Sequence, residues 1–160
     1  NNVTINGAKV ADMVNDKLAS IGEKIGITKF ERVDAPYVAS YIHGANRIGV
    51  LVGMDKESAE AGKDVAMQIA AMNPVAVDKN DVDSKTLERE IEIGKEQARA
   101  EGKPEEMLEK IAQGKLNKFY KESTLLNQQF IKDDKMDIRQ YLDKTEKGLT
   151  VKLFRRVQIG

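Results

Sequence analysis

The run YIHGANRIGVLVGM at residues 41–54 admits few folds. After the polar turn Gly44-Ala45-Asn46, Ile48, Val50, Val52 and Met54 alternate with Arg47, Gly49, Leu51 and Gly53, the period of two that sends successive side chains to opposite faces of a strand. Paired with the β-branched and aromatic run ahead of the turn, this strand makes a β-hairpin. Two glycines flatten its second face, which leaves room for a helix or another chain to approach closely. His43, the single histidine of the chain, lies at the start of the turn.

Residues 55–72 set Ala61, Val65, Ile69 and Met72 on one side, with Ala66 and Ala70 beside them. This predicts an amphipathic helix, ended by Asn73-Pro74, that covers the hairpin sheet. Upstream, Val10, Val14, Leu18 and Ile21 recur at helical spacing from Gly7 onward, with Asn6 suited to an N-cap and Gly22 to a stop. Residues 26–32 and Tyr37–His43 are rich in strand-forming side chains and are separated by Asp34-Ala35-Pro36, so two strands, or one bent at Pro36, are expected. Near the C-terminal end, a short helix around Ile138, Tyr141 and Leu142 precedes a turn at Gly148 and a third antiparallel strand. In that strand Val151, Leu153, Val157 and Ile159 are expected to share a face with Arg155, and Lys152, Phe154 and Arg156 to take the other.

Between these elements lies a different kind of helix. Asp83 or Ser84 caps it, and Leu87, Ile91, Gly94 and Ala98 form a narrow seam among charged residues. Gly102-Lys103-Pro104-Glu105-Glu106 breaks it, supplying a stop, a first helical residue and acids for a new first turn. The returning helix aligns Leu108, Ile111, Ala112, Leu116 and Phe119. Facing seams and a short turn predict an antiparallel helical hairpin, projecting about 27 Å at about 1.5 Å per residue. Nine basic and nine acidic residues from 85 to 122 balance, consistent with a solvated arm laced with pairs such as Glu106 with Lys110. The fold class is therefore α+β: a small antiparallel sheet packed with helices, plus a protruding, coiled-coil-like hairpin.

The chemistry offered is sparse. Twenty-six basic and 26 acidic residues cancel over 160 positions, so no global field favours nucleic acid or an anionic membrane. Cysteine is absent, which removes thiolate metal sites and a cysteine nucleophile and fits a reducing compartment. No apolar run reaches the length of a membrane span, and the first residues read as neither signal nor transit peptide. Phosphate loops, dinucleotide fingerprints and nucleophile elbows are missing too. Neither an enzyme, a metal site nor a cofactor is expected. Two binding readings remain: a protein-binding module acting through the hairpin and arm, and an RNA-binding α+β domain using Lys152, Phe154, Arg155 and Arg156.

Several blocks carry a family resemblance. His43-Gly44-Ala45-Asn46-Arg47-Ile48-Gly49-Val50-Leu51-Val52 resembles the H-G-x-x-R-I-G-V-L-V stretch of translation elongation factor Ts, and Ala66-Met67-Gln68-Ile69-Ala70-Ala71-Met72-Asn73-Pro74 is similar to its A-M-x-I-A-A-x-x-P helix end. Gly102-Lys103-Pro104, Gly114-Lys115-Leu116-Asn117-Lys118-Phe119 and Leu126-Asn127-Gln128-Gln129-Phe130-Ile131-Lys132-Asp133 follow its later blocks in order.

What the resemblance implies is a guanine nucleotide exchange factor of translation that binds the GTPase elongation factor Tu, in a bacterial-type cytoplasm or an organelle. It implies residues 1–33 as the remainder of an N-terminal core subdomain, 34–83 and 123–160 as a C-terminal subdomain, and 84–122 as a coiled coil inserted in it. Partner contacts fall on Ile21 and Gly22, on His43, and on Ile131 and Lys132, where Lys132 replaces an apolar residue found in some members. The family's N-terminal helical module and T-D-F-V segment have no counterpart in residues 1–160, so this chain is expected to bind its partner, or a second copy of itself through the C-terminal subdomain, while exchanging nucleotide poorly. A self-associating adaptor without exchange activity is the alternative. Membrane and nucleic acid are not expected as partners.

Overall fold

In the computed structural model, which describes residues 3–159, the first of two units, Asn1–Glu31, opens with a tight hairpin. Strands β1 (Thr4–Ile5) and β2 (Ala8–Lys9) pair antiparallel around Asn6 and Gly7, both with positive φ (51° and 82°), the backbone that an Asn-Gly turn adopts most easily. Helix α1 (Val10–Ile21) follows directly with Lys9 at its N-cap. Asn6 is therefore a turn residue and not the expected cap, because the two-residue hairpin claims it first. Gly22 closes α1 at φ 78°, its N–H donating to the Leu18 carbonyl. No α1 side chain is buried. Residues 26–32, expected as a strand, join no ladder among the described residues, and without cross-strand partners their composition alone does not make a strand.

The second unit, Arg32–Gly160, holds the sheet. Strands β3 (Tyr37–His43) and β4 (Ile48–Met54) form the predicted hairpin. Helix α2 (Ala59–Met72) covers one face, and Asn73 ends it in the left-handed conformation. A 3₁₀ turn at Lys79–Asp81 leads to α3 (Ser84–Ala100), whose first turn is capped by the Asp83 carboxylate accepting from the Thr86 N–H, and then to α4 (Glu105–Ser123). Past a 3₁₀ turn at Leu125–Asn127 come β5 (Gln129–Phe130), β6 (Asp133–Asp137), α5 (Ile138–Thr145) and β7 (Val151–Gln158). Sheet order is β3-β4-β7, antiparallel throughout.

The core lies between this sheet and α2. Val50, Val52 and Met54 meet Val65, Ala66 and Ile69, with Leu125, Phe130, Ile138 and Leu142 closing the periphery. Met72, expected on the apolar side, is 46% exposed. Strand β7 departs from simple alternation: Gly53 pairs with Leu153 but Met54 with Val151, leaving Lys152 as an extra residue. A bulge shifts the phase by one, so Val151 and Phe154 both reach the core, opposite Met54 and Val52. Leu153 instead packs on the opposite face, where it and the Val33 and Ala35 side chains would lie within about 3 Å of a methyl on Gly53. Half of the flat glycine face is thus covered by this unit's own chain. Of the residues invoked for RNA, Phe154 packs against the core, and the Arg156 guanidinium donates to the Ala70 carbonyl and Gln158 side chain.

Helices α3 and α4 run antiparallel. A Cβ on Gly94 would stand 3.2 Å from the Ala112 Cα, so the backbones approach closely where Gly94, Ala98 and Ala112 meet. Lys95 with Glu109, Arg99 with Glu105 and Lys115 with Glu101 tie arm to arm, in place of the expected pair along one arm, Glu106 with Lys110. The root is clamped by backbone hydrogen bonds from Val75 to Ser123, Leu125 to Ala76 and Leu126 to Val77. Asp78 completes the clamp, accepting from Arg139 and Asn127. Burial pushes its carboxyl pKa up, but those two hydrogen bonds and one from the Lys79 N–H outweigh it and hold the value below the ordinary range.

Candidate partner-docking site

The turn between β5 and β6 presents two of the candidate residues, Ile131 and Lys132. It is short, and two side chains of α2 brace it from beneath. Asp64 and Gln68 are four residues apart, one helical turn, and so share a face. They interleave with the apolar Ala61, Val65 and Ile69, and both are buried. Gln68 Oε1 accepts from the Ile131 N–H at 2.9 Å, while its Nε2 donates to the Gln129 carbonyl at 3.0 Å and Gln128 Oε1 at 3.2 Å. Gln128 in turn donates to the Glu122 carbonyl in the last turn of α4. One polar chain therefore runs from the hairpin root to the turn.

Asp64 receives the Lys132 ammonium on one carboxylate oxygen and the Tyr141 hydroxyl on the other, the latter at 2.9 Å. A carboxylate buried to this degree is tolerable only with such partners. Burial, reinforced by the bond to Asp64, pushes the Tyr141 phenol up to about 12. With its ammonium held by Asp64, the Lys132 side chain remains partly exposed. Ile131 remains 44% exposed although its backbone is locked.

His43 ends β3, level with Ile48 and Gln158 across the sheet. Its ring is exposed and its Nδ1 lies 3.0 Å from the Tyr41 hydroxyl. Ile21 and Gly22 belong to the other unit, at the end of α1, with Ile21 56% exposed. All five candidates are at the surface: Ile131 and Lys132 share the β5–β6 turn, Ile21 and Gly22 share the end of α1, and His43 stands apart from Ile131 and Lys132 at the end of β3. The sequence reading missed Asp64, Gln68, Gln128 and Tyr141. A signal existed for the first two, polar residues at helical spacing inside an apolar stripe. Among the described residues, no helix is long and apolar enough to cross a membrane.

Fold and site together define an α+β domain built on a three-stranded antiparallel sheet, with a long helical hairpin inserted between its second and third strands. The amino-acid sequence has a clear family among known proteins. The sequence model described as elongation factor TS matches residues 1–160. Elongation factor Ts of Cytophaga hutchinsonii is 57% identical over 158 residues, covering 96% of this chain and 57% of that protein. Those of Amoebophilus asiaticus and Thermobifida fusca are 48% and 45% identical over 98% and 96% of this chain, and 58% and 56% of theirs. The chain belongs to the elongation factor Ts family, and it spans somewhat over half the length of these relatives.

Proposed function

We propose that the chain is part of a guanine nucleotide exchange factor that binds the GTPase elongation factor Tu in the bacterial cytoplasm and promotes GDP release. The observation that carries this reading is the match of all 160 residues to the family. Exchange requires tighter binding to the nucleotide-free partner than to its GDP form, since only differential affinity shifts that equilibrium. Ile131, Lys132, His43, Ile21 and Gly22 are the contact residues in this reading, and their exposure supports it. Residues 1–33 then belong to the N-terminal core subdomain, 34–83 and 123–160 to the C-terminal subdomain, and 84–122 to an inserted coiled coil.

The 160 residues alone bind the partner but accelerate GDP release less than a full-length family member. Stopped-flow release of fluorescent GDP from elongation factor Tu, with each protein in turn, measures the difference. Equal rates at equal occupancy would sink the claim of impairment, and no acceleration by either would sink the exchange reading. Self-association is a second reading, favoured by the uncovered end of the glycine face, where a methyl on Gly49 would meet only Ile42. Light scattering across a concentration series tests it.

A further inference from the structure

We infer that Asp64 and Gln68 are positioning residues for partner docking, which they serve by fixing the Ile131–Lys132 turn; the inference rests on the exchange-factor reading above. Neither side chain is available to a partner, since Asp64 is 7% and Gln68 0% exposed. Their effect passes through what they hold. A turn joining strands as short as β5 and β6 has little ladder of its own: Gln129 pairs with Asp137 and Phe130 with Asp133, with a register shift between them. The missing order is supplied from α2. Gln68 fixes the backbone at Gln129 and Ile131, on both sides of Phe130, whose ring is buried and stacks on Tyr141 at 4.2 Å. Asp64 then draws Lys132 inward and holds the Tyr141 hydroxyl from the same side.

The consequence is directional. With Phe130 pointing into the core and Lys132 folded back onto Asp64, Ile131 projects outward between two anchored neighbours. A partner meeting it encounters an apolar side chain on a prepaid backbone, so docking loses less conformational entropy than on a free loop. Because Gln128 also joins Gln68 to the last turn of α4, the turn and the hairpin root share one buried network. Displacing either disturbs the other.

The test uses the full 160-residue chain with Gln68→Met, Asp64→Asn and Ile131→Ala, alone and in pairs, titrated against nucleotide-free elongation factor Tu by calorimetry. Amide hydrogen exchange is read at Ile131 and at core positions Val52 and Ile69. Gln68→Met is expected to speed exchange at the Ile131 amide at least tenfold, to leave Val52 and Ile69 unchanged, and to weaken binding about tenfold, a change of about 1.4 kcal/mol. Combined with Ile131→Ala it should weaken binding no further than Ile131→Ala alone, because both changes remove one contact. Asp64→Asn, which keeps the side-chain shape, is expected to act the same way less strongly, and it decides the matter if Gln68→Met does not fold. Should Ile131→Ala weaken binding while Gln68→Met and Asp64→Asn leave it unchanged, the positioning role is overturned and the docking reading stands. Additive losses in the double variant also overturn it. If the unaltered chain does not bind, the exchange-factor reading falls and the inference falls with it.

Discussion

Ala45 sits at φ 52° between Gly44 at 63° and Asn46 at 67°, three consecutive residues in the left-handed region. Glycine and asparagine tolerate that region, whereas alanine is strained there by about 1 to 2 kcal/mol. Replacing it with glycine removes the strain but adds freedom to the unfolded chain, about 0.5 to 1 kcal/mol. Ala45→Gly should therefore stabilise by about 0.5 kcal/mol and Ala45→Val destabilise by more than 1 kcal/mol in urea titrations. A second prediction concerns Tyr141. Its phenol is raised from 10.0 to about 12 in the folded chain, first by burial and then by Asp64. The unfolded chain thus loses this proton before the folded one does, so the contribution is intact below pH 10 and declines between pH 10 and about 12. Asp64→Asn should move the Tyr141 transition toward lower pH in an ultraviolet titration, and an unmoved transition would refute the pairing. The candidates His43, Ile131 and Lys132 come from blocks that resemble the family's, and Ile21 and Gly22 from position alone; the structure shows that all five are exposed. Their supports were not legible in this way. Asp64 and Gln68 act on residues 60 or more positions away, and although their spacing inside an apolar stripe hints at burial, nothing local in the sequence says which turn they hold.

Elements with strong local periodicity were read correctly: β3 and β4, α2, both arms of the helical hairpin, and α5. Failures came where local preference and topology disagreed. Residues 26–32 have strand-forming composition but join no ladder among the described residues, and β7 carries an extra residue at Lys152 that moves Val151 to the face opposite Leu153, a choice made by pairing with β4 and not by the order of side chains. The short β1–β2 hairpin forms at Asn6-Gly7, a strong turn signal that takes Asn6 from the expected N-cap. The hairpin's glycines make a sharper test. Gly114 lies within α4 with open space around it, whereas Gly94 faces the Ala112 backbone. Gly114→Ala should stabilise by about 1 kcal/mol, the helix-propensity gain, while Gly94→Leu must push the arms apart and cost about 1 to 3 kcal/mol. Thermal unfolding of the two variants distinguishes them, and similar midpoints would contradict the close approach.

At the scale of the whole molecule, the division between Glu31 and Arg32 predicts how the chain comes apart. Lys24 and Lys29 lie in an exposed segment without regular structure, so brief trypsin treatment should cut there first and leave a product that contains the sheet and the helical hairpin. First cleavage within the sheet or the helical hairpin instead would contradict this. The arm interrupts the sheet unit in sequence, lying between β4 and β7. One consequence of that insertion concerns evolution. The contacts that set the arm's register, from the Gly94–Ala112 approach to the cross-arm charge pairs, lie within the arm itself, while its attachment depends on residues near 75–78 and 123–128. Reach and anchorage are thus separately heritable. Seven residues added to both helices would carry the tip about 10 Å farther at the same angular position, so descendants could vary how far the arm extends without renegotiating the surface on which it stands.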